Sequence, residues 1–136
     1  MKHSIILSFA ILMVMVTFSC NAQDNSKKVT KVSISEKVEA YYFHFTSRCV
    51  TCKAVEAETK TDLEILYGGK VSFKAINLDD ASSKEIAERF QVSGQTLLLV
   101  KGNQKINITN EGFMYARTDP AKFKSVIKEK VDALLK

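Results

Sequence analysis

The sequence predicts an α/β fold, a central mixed β-sheet flanked by helices on both faces in the order β-α-β-α-β-β-α. Three observations predict it. An aromatic-rich apolar run at 38–46 precedes a long helical stretch and then an alternating strand, which makes a βαβ unit with parallel strands and a right-handed crossover. A second apolar run, Thr96–Lys101, turns through Gly102-Asn103 into alternating residues, which makes a β-hairpin. The chain then closes on an amphipathic helical segment.

Each element has a local reason. V-E-A-Y-Y-F-H-F-T, Val38 to Thr46, suits a buried strand. The helical stretch from Val50 to Tyr67 meets Gly68-Gly69, a C-cap signal. Val71 to Asn77 alternates and reads as a strand. Ser82-Ser83-Lys84-Glu85 is an S-x-x-E capping box, so a helix is expected from there to about Phe90. Ile106 and Ile108 alternate with polar residues over Lys105–Asn110, the second arm of the hairpin. Asp119-Pro120 supplies an N-cap and a proline at the first helical position. Phe123, Val126, Ile127, Lys130, Val131, Leu134 and Leu135 follow at helical spacing.

The first twenty residues read as an address rather than as part of this fold. Met1-Lys2-His3 gives a positive start, and Ile5 to Phe18 is an apolar run too short for a membrane span. Thr17-Phe18-Ser19-Cys20 resembles a bacterial lipobox, with Cys20 as the lipidated residue, although Thr17 and Phe18 depart from the pattern. The competing reading is cleavage after Ala22. Both put the protein outside the cytoplasm, where disulfides persist: in the periplasm or cell envelope, anchored through Cys20 if it is lipidated, and otherwise secreted. The expected organisation is therefore a signal at 1–20, a polar tether at 21–36 with a hint of a strand at Val29, Val32 and Ile34, and one domain at 37–136.

The net charge is +5, or +4 without Lys2, and the lysines are spread along the chain. That is a solvated surface, not a basic stripe interleaved with aromatics, so nucleic acid is not an expected partner.

Chemistry concentrates at Cys49-Val50-Thr51-Cys52, between the first strand and the first helix. A helix N-terminus leaves backbone N–H groups free and favours an anion, so the first thiol is easier to deprotonate. The two-residue spacing lets the second thiol close a disulfide across one turn. Arg48 and Lys53 flank the pair and either favour the thiolate further or are solvated surface charges. Closed zinc sites need four ligands, and only His44 lies near this cysteine pair in sequence, so neither a metal nor another cofactor is expected.

Over about residues 37–136 the chain resembles the thioredoxin superfamily. Phe45–Lys53 (F-T-S-R-C-V-T-C-K), Asn77-Leu78-Asp79 and Val92–Lys101 carry the resemblance. It implies that Cys49 is the exposed nucleophile and Cys52 the buried resolving thiol. The run from Tyr41 to Lys53 is also similar to a narrower bacterial group of small exported thioredoxin-like proteins. Some of these resemble a subunit of an aromatic-arsenical nitroreduction and efflux system.

The departures are specific. Arg48 stands where the family has an aromatic residue, and the chain has no tryptophan. Phe43 replaces a buried acid, while alternation turns His44 to the opposite face, where a structural role is expected. Gln95 occupies the place of a cis-proline; a cis bond before a non-proline residue costs about 2.5–4 kcal/mol, so a trans peptide and an altered loop are expected. The leading expectation is a thiol–disulfide oxidoreductase with a dedicated partner, either a protein carrying a disulfide or dithiol or a redox enzyme subunit. The alternatives are a tethered dithiol that binds soft metalloids, motivated by Gln95, and a non-catalytic interaction protein.

Overall fold

The computed structural model describes residues 37–136. The signal-like run, Cys20, the tether and the strand hint at Val29, Val32 and Ile34 lie outside the described residues. Strand β1 (Glu39–His44) leads through a short loop into helix α1 (Val50–Tyr67) and back to β2 (Ser72–Asn77). A 3₁₀ turn at Ala81–Ser83 runs into α2 (Lys84–Phe90), followed by the hairpin β3 (Thr96–Lys101) and β4 (Gln104–Asn107). Two helices close the chain, α3 (Thr109–Tyr115) and α4 (Pro120–Leu135).

The sheet order is β2-β1-β3-β4. β1 is parallel to β2 and antiparallel to β3, and β3 is antiparallel to β4, so the sheet is mixed as expected. Strand alternation divides β1 between two cores. Ala40 and Tyr42 face Val55 and Leu63 of α1 and Phe123 and Ile127 of α4. Tyr41 and Phe43 face the other way, onto Phe90 of α2, with ring centroids 4.9 and 6.1 Å away. Helices thus cover both faces, and β1 is buried between them.

The helix ends follow their local signals in two cases and not in a third. Gly68 adopts φ 54° and donates its N–H to Glu64 O, a left-handed C-cap that favours glycine. Asp119 Oδ1 accepts the N–H of Lys122 at 3.0 Å, with Pro120 at the first turn. The capping box at Ser82–Glu85 does not form. Ser83 already has helical dihedrals, and its hydroxyl donates to Asp80 O at 2.7 Å. The 3₁₀ turn takes up the entry that a box would otherwise fix.

The second arm of the hairpin stops at Asn107, and α3 is an element the sequence patterning does not show. Its middle holds Gly112, which weakens a helix by about 1 kcal/mol relative to alanine. Tertiary packing requires it there. A Cβ at Gly112 would lie 3.2 Å from Val55 Cγ1 and 3.4 Å from Phe123 Cζ. Glycine lets α3 seat against α1 and α4. Replacing Gly112 with valine is therefore expected to destabilise the domain by about 1–3 kcal/mol through overpacking. The measurement is the urea midpoint, which should fall at unchanged denaturant dependence.

Candidate functional site: the dithiol at the start of α1

The site lies at the carboxyl end of β1, where the chain leaves the sheet and enters α1. Cys49 and Cys52 are joined in a disulfide with their Cα atoms 5.1 Å apart. Cys49 is the N-cap of α1, and its sulfur accepts the backbone N–H of Cys52 at 3.0 Å. No acidic residue occupies the first turn, so nothing there offsets the positive end of the helix dipole. A sulfur in this place is held by a donor that would also stabilise its thiolate.

The two sulfur-bearing residues differ in access. Cys49 is exposed, whereas Cys52 is 2% exposed. Beneath them, the fully buried Tyr42 donates its hydroxyl to the carbonyl oxygen of Cys52 at 3.0 Å. Burial raises the Tyr42 phenol above its ordinary pKa, so it stays a donor across the working pH range. This bond ties the first turn of α1 to the central strand.

A second set of contacts fixes the loop that presents Cys49. Thr46 N–H donates to Asp79 Oδ2 at 2.7 Å, and Asn77 Nδ2 donates to Thr46 Oγ1 at 3.0 Å. Leu78 N–H donates to His44 O at 2.7 Å, continuing the parallel pairing of β1 and β2 beyond the strands. Asn77-Leu78-Asp79, noted in the sequence only for its resemblance, therefore clamps the approach to the dithiol. The Thr46 amide holds the Asp79 carboxyl below its ordinary pKa of 3.8.

The other residues singled out in the sequence fall around this centre. Arg48 forms an ion pair with Glu56 on the outer surface of α1, and both side chains are 27% exposed. Lys53 is exposed on the first helical turn. Phe43 is fully buried against Phe90 on the far side of the sheet from Tyr42. His44 is buried, with Nδ1 3.0 Å from Phe45 O, a structural role. Thr96 pairs with Phe43, which puts Gln95 at the same end of the sheet as Cys49. The peptide before Gln95 is trans. Tyr42 and Glu56 are the residues sequence reasoning missed. Alternation along β1 identifies the face of Tyr42, but no local signal reveals that its hydroxyl reaches Cys52 O. Among the described residues, no group of three or more His, Cys, Asp or Glu side chains converges to hold a metal ion. Among them, too, no helix is long and apolar enough to cross a membrane.

No protein-family model matches the chain, and no curated protein matches it. Solved structures do. Trxlp from Edwardsiella tarda is 20% identical, covers 69% of this chain and 84% of its own, and superposes with a TM-score of 0.51. The thioredoxin of Malassezia sympodialis is 24% identical, with 72% of this chain and 80% of that chain covered and a TM-score of 0.49. The fold is thioredoxin-like.

The Asp79 clamp gives the site a pH signature. A carboxyl held below its unfolded value adds stability above that value, and the gain is lost as pH falls through the lowered native pKa. Wild type is expected to be more stable than Asp79→Asn at pH 6. Urea titrations stepped down in pH should show the gap closing below about pH 4.

Proposed function

We propose that this protein is a thiol–disulfide oxidoreductase that works outside the cytoplasm and exchanges disulfides with a dedicated partner protein through Cys49 and Cys52. The observation that carries the reading is the asymmetry of the pair: an exposed sulfur capping a helix N-terminus, bonded to a buried one a turn later. An exchange centre needs one sulfur open to the partner and a second protected until the first has reacted.

The exchange follows from this arrangement. In the reduced protein the Cys49 thiolate attacks one sulfur of a partner disulfide. A bond forms between Cys49 Sγ and that sulfur, and the partner's other sulfur leaves as a thiolate and takes up a proton from water. Cys52 then loses its proton and attacks Cys49 Sγ. The Cys49–Cys52 bond forms as the bond between Cys49 and the partner breaks, and the partner's second sulfur departs as a thiolate that takes up a proton from water. Two electrons have passed from the dithiol to the partner. The same steps in reverse oxidise a partner dithiol, beginning with attack on exposed Cys49.

The apolar run from Ile5 to Phe18 supports the location, and Cys20 supports a lipid anchor at the cell envelope. Arg48, Phe43 and Gln95 at positions where thioredoxins are conventional support a dedicated partner rather than general reductant activity. The finer reading, a redox subunit serving one enzyme, is supported by the Tyr41–Lys53 run.

Trapping in the native cell envelope tests the reading. Cys52→Ser is expected to accumulate a covalent adduct with one protein through Cys49, released by dithiothreitol. Cys49→Ser should accumulate none and should lose exchange with a peptide disulfide in vitro. A wild-type protein that exchanges no faster than a free dithiol, with no adduct on Cys52→Ser, overturns it.

A further inference from the structure

We propose that Glu56 is a positioning residue for the dithiol: it draws the Arg48 guanidinium onto the flank of α1 and offsets its charge, which keeps Cys49 less acidic than an unpaired Arg48 beside the helix start would make it. The inference rests on the exchange reading above but concerns a property of the free thiol.

The first turn of α1 already favours an anion at Cys49, through the Cys52 N–H and the uncompensated helix end. Arg48 is the residue next to Cys49, and an unpaired guanidinium there would add to the same effect. The structure pairs its Nη1 with Glu56 Oε2 instead. Glu56 is one helical turn beyond Cys52, so the ion pair reaches from the loop before Cys49 past the turn that carries both cysteines. Both side chains are about three-quarters covered, which shields the pair from solvent more than an open surface bridge. The guanidinium also lies near enough to the Tyr42 hydroxyl to act against the burial that raises that phenol. Arg48 is therefore laid against the start of the helix.

The remaining charged groups around this end leave the balance to Arg48 and Glu56. Lys53 is exposed on α1. Asp79, from the loop after β2, accepts the Thr46 amide. His44 at the end of β1 is buried, with its Nδ1 at Phe45 O. Gln95, before β3, carries no charge.

The test is titration of the Cys49 thiol in the fully reduced protein, read by thiolate absorbance and by the pH dependence of alkylation. Neither readout needs a partner, so failure of the exchange reading and failure of this inference are separately visible. Glu56→Gln is expected to lower the Cys49 pKa by roughly 0.5 pH unit, about a threefold rise in thiolate fraction below the pKa. Arg48→Met should raise it by a similar amount. The double variant should return near wild type, and Arg48→Lys should stay close to it. A purely structural role would move both single variants in the same direction. That outcome, or no movement in either, overturns the proposal.

Discussion

Everything at this site depends on one constraint: the N-terminus of α1 has to be held, open to solvent, at the carboxyl end of the central strand. Parallel pairing of β1 with β2 forces a crossover helix to begin at that end. The Tyr42 hydroxyl on Cys52 O then fastens the first turn to β1. Asp79 and Asn77 fasten the preceding loop to the end of β2. Between these two anchors Cys49 has nowhere to go but the cap position, where its sulfur meets the Cys52 N–H. Open α/β sheets bind their ligands at this end of the strands for the same geometric reason.

The two cores serve that constraint differently. The core under α1, α3 and α4 sets the depth of the helix, and Gly112 permits the close approach of α3 that completes it. The smaller core, with Phe43, Tyr41 and Phe90, fills the opposite face with aromatic contacts. Phe43 belongs to that packing and contributes apolar contact alone. Charge near the dithiol comes instead from α1 and its leading loop, through Arg48, Glu56 and Lys53.

Much of this was legible in the sequence wherever the signal is local. Val50–Tyr67 and Thr96–Lys101 have the same limits in the structure as in the sequence reading, because periodicity, glycine and polar flanks bound them. The cap at Asp119-Pro120 forms for the same reason. Features that depend on distant residues were not legible. Gly112 argues against a helix until Val55 and Phe123 are seen beside it. Ser82–Glu85 has the letters of a capping box, but a 3₁₀ turn from Asp80 makes Ser83 helical before the box can close. At the site, the C-x-x-C spacing and its placement at a strand-to-helix junction announce the dithiol. The pairing of Arg48 with Glu56 does not follow from spacing, because it spans the loop and two turns.

The proposed exchange requires Cys49–Cys52 to be a working disulfide and not a staple. The most direct measurement is its reduction potential, from equilibration of the purified protein with graded glutathione and dithiothreitol buffers and quantification of the thiols. An exposed bond at a helix start should titrate as one two-electron transition, within about −120 to −270 mV, the span of exchange proteins. A potential below about −300 mV, where structural disulfides of secreted proteins lie, would make the bond a staple instead.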